Sequence, residues 1–209
     1  MESFDKLVAE LNAIAPFRIR YKDESWEMQI LNLFAVWFCP TFLTHYTTVV
    51  GSTVYFPSRA YVRMYPDRAM RVLAHEAVHL LDMERYHPAA FMVSYLFPQI
   101  FAIGVFSFPW LGAWSLLFLL FLLPIPAPFR AFFEARAFAI SLLAAPAEDR
   151  EQELARCMDQ FSNSSYYFMY PFDDQVKEQI LKWIAEAETG RDPDLLKILL
   201  VYEMVSEEA

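Results

Sequence analysis

From position 88 to position 129 the chain runs for 42 residues without an Asp, Glu, Lys or Arg: PAAFMVSYLFPQIFAIGVFSFPWLGAWSLLFLLFLLPIPAPF. One passage through a bilayer takes roughly 20 apolar residues, so this is the length of two passages joined by a turn. The turn falls in FPWLGAW (108–114), where Pro109 and Gly112 interrupt the helical pattern and Trp110 and Trp114 suit a headgroup interface. Pro98 would kink the first passage, and Pro124, Pro126 and Pro128 would end the second. The alternative is a helical hairpin buried in a large soluble core, but a core helix seldom lacks a charged face for so long. Lipid is therefore the expected solvent for this segment.

A length of 209 residues suits a single domain. The expectation is one domain over 1–209 with the 88–129 hairpin inserted into it. The chain is 56% hydrophobic and 17% aromatic, with 13 Pro and only 4 Gly, which is more apolar than a soluble domain requires. A net charge of −9 with scattered Lys and Arg argues against a non-specific nucleic-acid binder, so no nucleic-acid partner is expected. Cys39 and Cys157 form neither a CxxC pair nor a disulfide framework, which points to a reducing compartment. At the N-terminus, Phe4, Leu7, Val8, Leu11 and Ile14 are spaced as on an amphipathic helix, with acidic residues between them, and the hallmarks of a signal peptide are missing.

The remaining segments give an α+β, mostly helical fold with a small N-terminal sheet. FRIRYK (17–22) alternates as a half-buried strand does. Residues 24–38 read as a helix; extended to 43 they approach spanning length, but Glu27, Gln29 and Asn32 argue against a membrane passage. TTVVGSTVYFPS (47–58) suggests a bent strand or a short hairpin about its Gly. Pro66 and Asp67 start a helix over 67–85, and further helices are expected over 130–144, 148–161, 173–190 and 192–205, the last capped by Asp192 with Pro193 in its first position.

Within the 67–85 helix lies RVLAHEAVHLLD (71–82). Positions four apart share one helix face, so His75 and His79 can direct ring nitrogens at a single ion, while Glu76 is turned about 100° away. That is the arrangement of HExxH zinc hydrolases: an ion with an open position lowers the pKa of a water, and the neighbouring carboxylate accepts its proton. Two His residues that merely pack within a polar patch are a poor explanation, because only four His occur in the chain and this helix is otherwise oily.

A catalytic zinc takes three protein ligands. The HExxHxxGxxH route is absent, since Asp82 and Arg85 occupy its Gly and His positions. His87 could return only through an unusual fold-back at Pro88. Asp82 suits a hydrogen bond to a ligand His, or else a solvated helix face. Glu134, in RAFFEARAFAI directly after the hairpin, is the strongest candidate, because two passages return the chain to the side it left. Its bland reading is an ion pair with Arg130 or Arg136 on the same helix.

HEAVH preceded by VLA, then a hydrophobic hairpin, then E-x-x-A in Glu134-Ala135-Arg136-Ala137, resembles the integral-membrane gluzincin peptidases of the HtpX and CAAX prenyl protease type. The likeness covers about residues 67–140. It implies a zincin-like domain, a Zn2+ cofactor held by His75, His79 and Glu134, and Glu76 as catalytic base; the expectation is a peptidase acting on proteins or peptides at the membrane. The chain departs from the pattern in having Val78 where those proteins usually carry Gly and Phe138 where they carry Asp. In such peptidases the strand before the zinc helix pairs with substrate; the 47–58 segment can do so or be an ordinary strand. His45, Tyr166, Tyr167 and Tyr170 are candidate donors to a tetrahedral intermediate. Arg59, Arg63, Arg68, Arg71, Arg85, Arg130 and Arg136 flank a hairpin whose turn is uncharged, which places the catalytic domain on the cytoplasmic side of the membrane. Two rival readings are a zincin-like membrane protein that binds or assembles without catalysis, and a soluble metallopeptidase with a buried hairpin.

Overall fold

The computed structural model describes residues 2–35, 41–163 and 168–208. Its central element is helix α5 (Pro66–Tyr86), which opens with Pro66 in its first turn and Asp67 close behind, as a helix N-terminus favours. Ala69, Met70, Leu73, Ala74, Ala77 and Val78 recur at helical spacing and are all buried. The helix ends where His87 adopts a φ of 68°, after which Pro88 starts a new helix.

Around α5 pack α1 (Glu2–Ile14), through Phe4, Leu7 and Leu11, and α11 (Pro193–Glu207), through Leu195, Ile198, Leu199, Tyr202 and Val205. A three-stranded sheet covers the same core. Strands β1 (Arg18–Tyr21), β2 (Thr48–Val50) and β3 (Thr53–Phe56) lie in the order β1-β3-β2, with β1 parallel and β2 antiparallel to β3. Ile19 and Val49 both face Val54 across the ladders, and Val54 and Phe56 are fully buried in the core that holds Leu73. The 47–58 segment is thus a short hairpin with Gly51 in its turn. Between β1 and β2 lie a 3-10 turn (Lys22–Glu24), α2 (Trp26–Ala35) and α3 (Phe42–His45), so the helix begins two residues later than the expected 24–38; residues 36–38 of that span, and Cys39, fall outside the described residues. Cys157 is a buried free thiol. Helix α4 (Arg59–Met64) precedes α5 and is capped by Ser58, whose hydroxyl accepts from the Tyr61 amide.

Beyond the apolar stretch, α8 (Pro128–Leu143) is wedged between two cores. Ala137 and Ile140 join the α5 core, while Ala135, Phe138 and Leu142 pack against Phe161 of α9 (Arg150–Ser162) and Val176 and Ile180 of α10 (Asp173–Glu188). Ala131, Ala135, Ala137 and Ala139 are all buried, and their small side chains let the neighbouring helices approach closely.

The uncharged stretch divides into two parts. Helix α6 (Pro88–Tyr95) packs on the body, with Phe91 buried. The helical run Gln99–Leu122 projects: its 24 residues are long and apolar enough to cross a membrane, and only 6% of its most apolar portion is buried. This run is not straight. A 3-10 arm (Gln99–Ser107) leads through the short helix α7 (Phe108–Leu111) to a second arm (Gly112–Leu122) that returns beside the first. The reversal uses Gly112 at a φ of 53°, a left-handed conformation that disfavours side chains, and Gly104, where the Phe118 ring leaves no space for a Cβ. Phe101 and Phe121 meet across the arms at 5.2 Å. At about 2 Å per residue the arms are about 18 and 22 Å long, against a hydrocarbon core of about 30 Å. The segment is therefore an exposed apolar hairpin with shorter arms than two full passages, because its first eight residues belong to the body.

Candidate metal centre

Helix α5 places His75 and His79 one turn apart, with ring centroids separated by 5.1 Å, and α8 brings Glu134 against them. His75 Nε2 is 3.5 Å from Glu134 Oε2, and His79 Nε2 is 3.8 Å from Glu134 Oε1. All three residues are buried, and one donor atom from each lies within 4.8 Å of the others. Donors around a tetrahedral zinc, with bonds of about 2.0–2.1 Å, stand about 3.3 Å apart, so the spacing approaches that of a ligand set. The chemistry agrees. Glu134 Oε2 is buried without a hydrogen-bond partner among the described residues, a cost of about 1–3 kcal/mol or more that a cation would remove. A buried group of two imidazoles and a carboxylate can hold a metal ion.

The hydrogen bonds around His75 support that role. Its Nδ1 is 3.0 Å from Ser141 Oγ, which is in turn placed to donate to the Ala137 carbonyl at 3.4 Å. In that network His75 donates from Nδ1, which leaves Nε2 as the ring nitrogen that faces Glu134. The Phe138 ring, at the position where the resembled peptidases carry Asp, packs edge-on against His75 at 4.8 Å. The orienting acceptor comes instead from a hydroxyl about one turn further along α8. His79 Nδ1 is buried without a partner among the described residues.

Burial and mutual charge set the protonation of the site. Burial pushes the Glu134 carboxyl up, but contact with His75 and the proximity of His79 and Arg130 outweigh it and hold the group at about 2. For His79, burial dominates and lowers the imidazole to about 4, which keeps it neutral. Burial also pulls His75 down, yet Glu134 raises it above its ordinary value. Glu76 is raised to about 7, first by burial, with His75 and Lys22 pulling the other way. Lys22 itself is fully buried and donates to the Phe42 carbonyl at 2.8 Å. A buried cation near Glu76 was not legible in FRIRYK, where the alternation leaves the end of the strand looking solvent-exposed.

Asp82 neither accepts from a ligand His nor faces solvent: it is 0% exposed and its carboxylate pairs with Arg136. Arg136, 2% exposed, does not pair with Glu134 but points to Asp82 and to Asp192, which it meets through Nε at 3.1 Å and Nη2 at 2.9 Å. Asp192 also caps α11, accepting from the amides of Asp194 and Leu195 at 3.0 and 3.1 Å. One buried guanidinium thus joins α5, α8 and the start of α11. His87 is not part of the metal group; its Nδ1 accepts from the Ala89 amide at the start of α6.

Of the residues considered as donors, Tyr170 bonds Gln175 at the surface, at 2.8 Å. Tyr166, Tyr167 and the His45 side chain lie outside the described residues. Tyr95, in the uncharged stretch, reaches the site with its hydroxyl, which donates to Glu134 Oε1. No protein-family model, curated protein or solved structure matches the chain, so the assignment of this site rests on its own geometry.

Proposed function

We propose that the chain is a membrane-anchored zinc metallopeptidase that hydrolyses peptide bonds in proteins or peptides, with a zincin-like catalytic domain. The observation that carries the proposal is the convergence of His75, His79 and Glu134, from two helices, beside the buried Glu76. Two imidazoles and one carboxylate are the donor set of a catalytic zinc, which when bound activates water and polarises a carbonyl.

The residues of the chain would perform the rest. His79, kept neutral by burial, and His75, oriented by Ser141, offer ring nitrogens, and Glu134 offers the charge. Glu76 would take a proton from the attacking water and pass it to the leaving amine; a carboxyl near 7 is matched to proton transfer at neutral pH. Strand β2 is an outer strand of the sheet, with no further strand paired to it among the described residues, and such an edge suits an extended peptide added as a further strand. The exposed apolar hairpin would anchor the domain, and both of its ends return to the side of the body. Arg59, Arg63, Arg68, Arg71, Arg85 and Arg130 support a cytoplasmic body, while Arg136 drops out of that count because it is buried.

Two measurements test this reading. Membranes washed with alkaline carbonate should retain the protein, and the detergent-solubilised protein should cleave an unfolded protein substrate. That cleavage should stop with a chelator and return with about one equivalent of zinc. Release by carbonate would contradict the anchor, and zinc-loaded protein inert toward a broad peptide library would contradict the peptidase.

A further inference from the structure

The geometry points to Tyr95 as a positioning residue for the metal, a hydroxyl at the base of the apolar hairpin that holds the third ligand in place. The inference rests on the metal-site reading above and deepens it. Tyr95 is the last residue of α6, on the face that also carries Phe91 one turn earlier. Its ring is held from three sides. Phe91 stacks on it at 5.6 Å, the His79 ring meets it nearly edge-on at 5.9 Å, and the Arg130 guanidinium lies 5.2 Å from its centroid. Arg130 and Glu134 are four residues apart on α8, so the helix that supplies the ligand also helps to hold the tyrosine that contacts it.

The hydroxyl so placed donates to Glu134 Oε1. With that oxygen engaged, the carboxylate cannot rotate freely, and Oε2 is left facing His75 Nε2 at 3.5 Å without a hydrogen bond of its own. The engaged oxygen, Oε1, is the one 3.8 Å from His79 Nε2, so the hydroxyl fixes the carboxylate with one oxygen toward each imidazole and leaves Oε2 as the oxygen with no donor of its own. A hydrogen bond to a ligand carboxylate fixes its orientation and raises metal affinity. Because Tyr95 belongs to α6, the same bond ties the root of the hairpin to the metal centre. The ring contacts keep the tyrosine packed, and only the hydroxyl is proposed to act on the ion, through Glu134.

The test is zinc affinity of the full chain in detergent, by competition with a chromogenic chelator, for wild type, Tyr95→Phe, Glu134→Ala and the double variant. Tyr95→Phe keeps the ring and its packing; its melting temperature should match wild type while zinc binds about 10–100-fold more weakly. In the Glu134→Ala background the same change should alter affinity by less than about twofold, since the hydroxyl acts through the carboxylate. Cobalt(II) in place of zinc gives a second reading: the visible bands of Tyr95→Phe should shift as the carboxylate changes its coordination. If wild type binds zinc and Tyr95→Phe binds it equally well, the positioning role is overturned and the metal site stands. An equal loss in both backgrounds would assign the effect to packing and overturn the role as well. A wild type that binds no zinc would remove the metal-site reading and this inference with it.

Discussion

Arg136→Ala is expected to destabilise the folded chain by about 3–5 kcal/mol, because it leaves the carboxylates of Asp82 and Asp192 buried without their partner. For a chain of this size that corresponds to a fall in melting temperature of roughly 6–20 °C, measurable by thermal melts in detergent. The loss should depend on pH, and the sign follows from Asp82. Burial pushes its carboxyl up to about 7 from an ordinary 3.8, against the pull of Arg136. The folded state therefore holds a proton that the unfolded state has released between those values, so this contribution to stability is present at the acidic end and is lost as pH rises through 7. Removing the guanidinium removes the opposing pull. The variant should lose less stability at pH 5, where Asp82 folds protonated, than at pH 8. Equal losses at the two pH values would show that Asp82 remains ionised throughout, and a loss below about 1 kcal/mol would contradict the view that this pair locks the ligand helices.

Glu76→Gln carries the second large effect. The substitution keeps the size and polarity of the side chain and removes its capacity to accept a proton, so turnover should fall by about 10²–10⁴-fold. Zinc content and KM should change little, because Glu76 is not among the three converging donors. That combination separates a general base from a residue that supports the fold. Activity within tenfold of wild type would place the base elsewhere. Loss of zinc together with activity would make Glu76 part of the metal-holding structure.

The parts of the site that share a helix turn were open to reading from the sequence. His75 and His79 are four residues apart in a segment whose Pro66 and Asp67 mark a helix start, and local spacing alone puts both rings on one face. Glu134 was legible through topology: a hairpin with both ends on one side returns the chain to α5, and α8 follows at once. Other features depend on contacts that no local pattern encodes. Arg136 looked like one more flanking arginine, and Asp82 like a helix-face acid, until α11 brought Asp192 to the same point. Ser141 is a small hydroxyl in an apolar helix, and its relation to His75 exists only across the α5–α8 contact. Tyr95 was hidden for another reason. An uncharged run does not distinguish apolar residues that face lipid from those that face a core, so the pattern places the first eight residues of the stretch in the membrane, whereas Phe91 and Tyr95 pack on the body. A tyrosine four residues after a phenylalanine in such a run is the signal that was there to be read.

Zinc content tests most directly whether His75, His79 and Glu134 form one metal centre. Elemental analysis of detergent-purified protein should find about one zinc per wild-type chain and little in His79→Ala or Glu134→Gln, since each change removes one of three ligands. Zinc retained with unchanged affinity in Glu134→Gln would place the third ligand elsewhere, and no zinc in the wild-type chain would contradict the metal centre altogether.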